Sequence, residues 1–353
     1  MKNLTIKPDA SIREAMELLD TTAERVLLLV DQHQCLIGTL TDGDIRRYIL
    51  KYQTLTGTIE KAYQTDPIFL YQDEFTDEKI RQILLENVIS LVPILNRDRQ
   101  IVDYLTWERV FGADGTDKFE RVPAPVVIMA GGKGSRLEPF TRVLPKPLIP
   151  VGSKTVIDHI IDRFRKYHID QFYLTINYMA KIMRAYFEEK GLEYKVGFAQ
   201  EDEPRGTAGS LKLLTDRLDD TFFVSNCDII IEADYADLYR FHKKRAHDIT
   251  LVAATKQYNI PYGVCELNGG GSLKRINEKP EYNFLVNTGL YVLEPGILEL
   301  IPDRGMFHIT HLMEKVQENG GSVGVYPVSE TAWVDVGQWA EYRRALKSIE
   351  GIQ

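Results

Sequence analysis

The sequence predicts an α/β protein in two parts. A tandem α+β repeat fills the first third, and a layered α/β domain on a largely parallel sheet follows. Three observations carry this. VLLLVDQHQCLIGTLTDGDI (26–45) aligns without a gap to LVPILNRDRQIVDYLTWERV (91–110), placing Thr41 against Thr106. Beyond residue 125, short apolar strands alternate with amphipathic helices, the pattern of parallel sheets. The first of those strands, PVVIMA (125–130), runs directly into the loop GGKGSRLEPFTRVLPKP (131–147).

Composition narrows the class. The 353 residues suit two domains. With 44% hydrophobic and 27% charged residues, the composition is that of an ordinary globular protein and argues against disorder. A net charge of −8 argues against a general nucleic-acid or membrane-surface binder, yet leaves room for a local basic cleft. Cys35, Cys227 and Cys265 form no CxxC, which suits a reducing compartment and speaks against a disulfide framework or zinc ribbon. The start, MKNLTIKPDASIREAM, has no apolar stretch followed by a cleavage site, and no apolar run is long enough to span a bilayer. A cytoplasmic location is the expectation.

Each repeat reads as helix, strand, polar turn, strand, Leu-Thr and a new helix. In IREAMELL (12–19), Ile12, Ala15, Met16 and Leu19 share a helical face; in DEKIRQILL (77–85), Ile80, Ile83 and Leu84 do so. The expected boundaries are 1–58 and 59–118 for the repeats and 119–353 for the second domain, with DGTDKFERVPAP (114–125) as linker. In the second domain, KTVIDHIIDRFRKY (154–167) places Val156, Ile157, Ile160, Ile161 and Phe164 on one helical face. QFYLTI (171–176), TFFVSN (221–226), DITLVAA (248–254) and FLVNTGLYVL (284–293) read as strands. KIMRAYFEE (181–189) and WAEYRRALKSI (339–349) read as helices.

The repeat resembles the cystathionine-β-synthase (CBS) domain pair. That family's Thr-x-x-Asp binds adenosine nucleotides, which points to Thr41 and Asp44: a carboxylate can accept both ribose hydroxyl protons. The second copy has Thr106 and Arg109, with arginine where the ribose carboxylate belongs. Thr41 and Asp44 read equally as a helix cap, and the pair as a dimerisation module. A homo-oligomer through the CBS or catalytic domains is the expectation.

The glycine-rich loop fits neither common phosphate-loop pattern. Lys133 is followed by Gly134, which breaks P-loop spacing, and no third glycine completes a dinucleotide fingerprint. Pro139, Pro145, Pro147 and Pro150 oppose a regular helix. What remains is a strand followed by glycines that let backbone N–H groups approach an anion. Arg136 and Lys146 then add cationic side chains. A Gly/Pro loop with solvated charges explains any one feature but not the string.

MAGGKGSRLEPFTRVLPKPLIPV (129–151) resembles the signature of the sugar-1-phosphate nucleotidylyltransferases, over roughly residues 124–353. The resemblance implies a Rossmann-like three-layer α/β/α fold with a mixed, mostly parallel sheet. It implies an enzyme joining an NTP to a sugar 1-phosphate with release of pyrophosphate. Ala130, Gly131, Gly132, Gly134 and Ser135 would hold the nucleotide, with Arg136 and Lys146 catalytic. Asp228 in VSNCD and Asp335 in WVDVG would bind Mg²⁺, while Cys227 reads as packing. QEDEPRGTAGSL (200–211) resembles the base-recognition loop of guanylyltransferases, implying GTP. Glu201 could accept both guanine donors, Gly206 would admit the base, and Thr207 would open the next helix. PYGVCE, NEKP and VNTGLY place Gly263, Glu278 and Asn287 near the sugar, with Lys279 on its phosphate.

A CBS pair fused to such a domain resembles the glucosamine-1-phosphate guanylyltransferases of legionaminic acid biosynthesis. Mannose 1-phosphate or a heptose 1-phosphate is the alternative sugar, and UTP, CTP or dTTP the alternative nucleotide. A non-catalytic nucleotide-sugar sensor is the alternative of a different class. His308 and His311 read as surface or packing residues. An anionic sugar 1-phosphate needs no strong general base to attack.

Overall fold

A computed structural model describes residues 4–22, 26–76, 79–80, 83–84, 89, 91–106, 109, 119–328, 330, 332–339, 341–343 and 346. The chain forms two compact units. The first comprises Met1–Lys118, Ala254–Val286 and Pro327–Thr331; the second comprises Phe119–Ala253, Asn287–Tyr326 and Ala332–Gln353. The first unit thus combines the N-terminal segment with two later segments of the chain.

The repeat is visible down to single atoms. β1 (Thr5–Ile6), α1 (Ile12–Thr22), β2 (Val26–Val30), β3 (Leu36–Thr41) and α2 (Asp42–Tyr52) form the first copy. β4 (Leu70–Tyr71), β5 (Leu91–Leu95) and β6 (Ile101–Thr106) are the strands of the second. Both sheets carry the same pairing: the first strand parallel to the second, the second antiparallel to the third. The polar turns match as well. Asp31 Oδ1 accepts the N–H groups of His33 and Cys35 at 2.8 and 2.9 Å, and Asn96 Oδ1 accepts those of Asp98 and Gln100 at 3.0 and 2.9 Å. Gln34 and Arg99 hold left-handed φ values of 63° and 61°, so both turns use the same backbone trick. Ile12, Ala15, Met16 and Leu19 are all buried, as their spacing predicts. In the helix expected over 77–85, Ile80 and Leu84 are fully buried, and residues 77–78, 81–82 and 85 lie outside the described residues. Residues 114–118 of the expected linker also lie outside them.

In the second unit, β7 (Val126–Met129), α3 (Val156–Arg165), β10 (Gln171–Ile176), α4 (Ala180–Glu188), β11 (Lys195–Gln200) and β12 (Phe222–Asn226) follow the expected alternation. Strand order in the main sheet is β11-β10-β7-β12-β17-β14-β18, with β14 Ile249–Asn259, β17 Glu281–Leu293 and β18 Val323–Val328. β7, β10, β11 and β12 run parallel, and β17 is antiparallel to β12, so the sheet is mixed. Register explains the layers. Val126 pairs with Phe172 and Phe223 on one face, where both phenylalanines meet Phe164 of α3 at 6.4 and 5.4 Å between centroids. The opposite face carries Val127 and Val224 against Leu312 and Val316 of a helix at Ile309–Glu318. A strand covered on both faces must be apolar throughout, which is why PVVIMA reads as a continuous run. Thr155 caps α3 through a reciprocal box with Asp158.

Periodicity does not announce the short strands β13 (Ile229–Ile231) and β19 (Trp333–Asp335), nor the hairpin β15 (Val264–Leu267) and β16 (Leu273–Asn277). Three-residue strands carry too few residues to show a period. Of the closing helix expected over 339–349, Trp339, Glu341, Tyr342 and Arg343 are helical; residues 340, 344–345 and 347–349 lie outside the described residues. No described helix is long and apolar enough to cross a membrane.

Candidate active site

The loop begins where β7 ends. Ala130 N–H donates to Thr175 O at 2.9 Å, which holds the loop to the sheet as far as its first glycine. The three glycines then serve different needs. A Cβ on Gly131 would run into the Glu201 carboxylate. Gly134 has φ of 67°, and a Cβ there would sit 2.9 Å from Thr141 Cγ2 and 3.0 Å from Lys146 Cβ. Only Gly132 of these three faces open space, with nothing within 4 Å. Two of the three therefore make room for the protein's own side chains, and Gly132 is the one whose backbone lies open to an anion. Ser135 and Arg136 are exposed in a single 3-10 turn anchored by buried Leu137, and Arg136 has no hydrogen bond or ion pair among the described residues. Arg142, by contrast, is paired with Glu138 at 2.7 Å.

Lys146 is drawn inward. It is 9% exposed, and its ammonium pairs with Asp228, 82 residues away in sequence. Asp228 follows β12 and precedes β13. β13 pairs antiparallel with β19 so that Ile229 lies opposite Asp335, which sets the two aspartates side by side. Val336 N–H donates to Asp228 O at 2.8 Å, and Gly337 N–H to Asp335 Oδ1 at 2.6 Å. Gly337 marks the meeting point. A Cβ there would lie 2.7 Å from Asp228 Oδ2, 2.8 Å from Asp335 Oδ1 and 3.2 Å from Lys146 Nζ. Burial, reinforced by the charge on Asp228, raises the Asp335 carboxyl above its ordinary value, while Gly337 N–H and Lys146 act the other way. Two carboxylates converging on one point suit Mg²⁺, which takes one or two protein carboxylates and completes its shell with water and substrate phosphates. The described residues include no cluster of three or more His, Cys, Asp or Glu side chains, so the donor set matches that mode and no all-protein cage. Cys227 is buried and its thiol is pushed up to about 12, so it stays protonated and packs.

Glu201 closes the other side of the loop. It is 7% exposed at the end of β11, and its backbone is held by Ile176 O at 2.9 Å and by the Asn177 amide at 3.0 Å. Oε2 accepts Arg205 N–H at 3.0 Å. Oε1 lies over Gly131 and has no donor among the described residues. Burial raises this carboxyl, against the lowering effect of Arg205. Gly206, expected to admit a base, instead approaches the protein: φ is 79° and a Cβ would sit 2.7 Å from Phe307 O. Thr207 Oγ1 accepts Ile309 N–H at 3.0 Å, so this hydroxyl supports the helix Ile309–Glu318. His311 Nδ1 likewise accepts His308 N–H at that helix's start.

One polar residue beside Asp228 escaped the motif reading. Asn226 ends β12 and lies directly against Gly289, whose φ is 92° and whose missing Cβ makes room for the Asn226 amide. An amide two residues before the strand-end aspartate was the available signal. Asn287 is near in the chain; its amide donates to Tyr291 OH at 2.9 Å and accepts Gly289 N–H at 2.9 Å. Gly263, Glu278 and Lys279 belong to the first unit. There the β15–β16 pairing brings Gly263 and Glu278 together, with a Gly263 Cβ 2.9 Å from Glu278 Oε2, and exposed Lys279 has φ of 46°.

Asp44, also in the first unit, is 3% exposed and fully engaged. Oδ2 accepts Thr41 N–H at 2.8 Å and Thr41 Oγ1 at 2.6 Å; Oδ1 accepts Gln64 Nε2 at 2.8 Å and pairs with Arg47 at 2.5 Å. This is a complete capping box, and both carboxylate oxygens have partners. Arg109 of the second copy turns to Asp103 at 3.0 Å.

Residues 125–351 match the family described as Nucleotidyl transferase. The chain belongs to that family. Residues 1–51 match the CBS domain. Among curated relatives, Probable mannose-1-phosphate guanylyltransferase 1 of Oryza sativa subsp. japonica is 32% identical over 230 residues, covering 63% of each chain. Mannose-1-phosphate guanyltransferase of Yarrowia lipolytica is 35% identical over 224 residues, covering 60% of each. UTP--glucose-1-phosphate uridylyltransferase of Synechocystis sp. is 27% identical over 245 residues, covering 63% of this chain and 62% of that one. The matched region thus spans less than two thirds of the length of these relatives. In fold, the chain resembles the crystal structure of HddC from Yersinia pseudotuberculosis, with a TM-score of 0.51 at 23% identity over 64% of this chain and 99% of that one.

Proposed function

We propose that the protein is a sugar-1-phosphate guanylyltransferase, transferring GMP from GTP to a sugar 1-phosphate. One observation carries the reading: Lys146, Asp228 and Asp335, from three distant parts of the chain, converge on Gly337. A sensor would need to bind nucleotide but would not need a cation and two carboxylates at one point.

The sugar phosphate oxygen forms a new bond to the α-phosphorus, and the bond from that phosphorus to the β-phosphate oxygen breaks. Pyrophosphate leaves with the electron pair, and no proton need move. Arg136 and Lys146 stabilise charge on the phosphoryl oxygens as it shifts toward the leaving group. The Gly132 backbone receives the phosphates of the nucleotide, with Ala130, Gly131, Gly134 and Ser135 shaping that cradle. Asp228 and Asp335 would hold Mg²⁺, which would supply further charge neutralisation. Glu201, a buried residue whose Oε1 has no donor among the described residues, is suited to the adjacent N1–H and N2–H donors of guanine. Asn287, in the same unit as the two aspartates, is proposed to contact the sugar phosphate.

Two sugars remain in contention on separate grounds. The names of the guanylyltransferase relatives favour mannose 1-phosphate, and the CBS fusion favours glucosamine 1-phosphate. A matrix of four NTPs against glucosamine, N-acetylglucosamine, mannose, glucose and heptose 1-phosphates, read by pyrophosphate release, decides the pair. The expected result is turnover with GTP and one of these sugars, abolished in Asp228→Asn. No release with any pair would overturn the enzyme reading.

A further inference from the structure

We propose that Val336, Gly337, Gln338, Trp339, Glu341 and Tyr342 belong to a strap that positions the phosphate arm, with Trp339 and Tyr342 as positioning residues. This rests on the transferase reading above. The arm, residues 138–150, carries Lys146 and follows Arg136. It consists of separate 3-10 turns at Phe140–Arg142 and Lys146–Leu148, broken by prolines. Such a segment has few repeating backbone hydrogen bonds and depends on tertiary contacts to hold one shape.

The strap supplies those contacts on both sides of Lys146. The Trp339 indole N–H donates to Glu138 O at 3.0 Å, and its ring lies 5.0 Å from the Phe140 ring. Tyr342 OH donates to Pro150 O at 2.7 Å. The Tyr342 ring is 5.9 Å from Trp339 and 6.4 Å from Phe140, completing an aromatic triangle. The strap's other end is rooted in the carboxylate pair, through Val336 N–H on Asp228 O and Gly337 N–H on Asp335 Oδ1. Only three residues separate Asp335 from Trp339. The segment that presents one carboxylate therefore also fastens the arm that presents Lys146. Reacting groups on two elements keep a common geometry when one rigid link joins them, and a misplacement of about 1 Å can cost about 10²-fold in rate.

The test uses the full chain with Trp339→Ala, Trp339→Phe and Tyr342→Phe. Phenylalanine at 339 keeps the ring contact and loses the N–H donor. Limited digestion with trypsin, read by mass spectrometry, follows cleavage after Arg136 and Arg142 and needs no turnover. Trp339→Ala should be cut at these two sites about tenfold faster than wild type, with cleavage elsewhere unchanged. Kinetically, kcat/KM for the nucleotide should fall about 10- to 100-fold in Trp339→Ala and less in Trp339→Phe. KM for the sugar phosphate should stay within about twofold. Arm cleavage equal to wild type in all three variants would overturn the proposal. So would faster cleavage at every site with both KM values moving together, the mark of general destabilisation. If Trp339→Ala does not fold, the two phenylalanine variants decide. A wild type without turnover sinks the transferase reading, and the digestion still decides the strap.

Discussion

Asp44 and Glu201 are both buried carboxylates on sequence motifs that resemble nucleotide sites, yet their surroundings differ. Asp44 has every oxygen occupied: a threonine backbone and hydroxyl on one side, a glutamine and an arginine on the other. Glu201 has one backbone donor, an oxygen turned toward the glycine loop, and a carboxyl held above its ordinary value by burial. Asp335 is similar, with its carboxyl raised by burial and by a second aspartate. A buried polar group with all its bonds made stabilises its own fold. One left short of partners is held at a cost that a ligand can relieve. The contrast sets Asp44 apart as a helix cap and supports the binding roles proposed for the other two.

The comparison breaks most visibly at the carboxylate pair. Asp228→Asn or Asp335→Asn should lower kcat by about 10³-fold, measured by pyrophosphate release, while the chain stays folded by circular dichroism. Asp335→Asn should also leave the thermal midpoint unchanged or higher, because it removes repulsion from Asp228. A large drop in that midpoint would place Asp335 with Asp44. Next in size, Glu201→Gln should cut kcat/KM for GTP about 10- to 100-fold and narrow the preference for GTP over UTP, in competition assays. Unchanged base preference would remove Glu201 from recognition. Asp44→Ala should cost about 1–3 kcal/mol in urea unfolding, since Gln64, Arg47 and the helix start lose a shared acceptor. Calorimetry of the full chain with AMP and ATP sharpens this: millimolar binding that Asp44→Ala abolishes would return Asp44 to the nucleotide sites.

The smallest effect is in pH. Because the folded chain raises the Glu201 carboxyl, its contribution to stability is full below the unfolded-chain value and is lost as pH rises through the folded-chain value. Glu201→Gln should flatten that part of the stability profile. KM for GTP should fall over the same rise, as the carboxylate able to accept two donors forms. A KM that rises with pH there would contradict the role.

The legible parts share a physical reason. α3 was readable because Val156, Ile157, Ile160, Ile161 and Phe164 recur at helical spacing, and all five are buried. The repeat was readable because both copies place two apolar strands around a polar turn and end in Leu-Thr at the same offset. The loop was readable as an anion device because glycine, arginine and lysine have distinct uses there. The glycines were read too uniformly: only coordinates separate Gly132, open to space, from Gly131 and Gly134, which yield to Glu201 and Lys146. Gly206 looked like room for a base and is contact with Phe307, because residues 206 and 307 meet only after folding. Asn226 carries a local signal, its place two residues before Asp228, but its contact with Gly289 on another strand is set only by folding.

By itself the sequence determined the family, the repeat and the set of reactive groups, because these reside in local spacing and in motifs read within a few residues. The tertiary structure decided which groups meet. The pairing of Ile229 with Asp335 sets the two aspartates side by side, Lys146 folds in to Asp228, and Trp339 and Tyr342 fasten the arm. Those contacts join residues far apart in the chain, and no local pattern encodes a distance that only strand pairing and side-chain packing create.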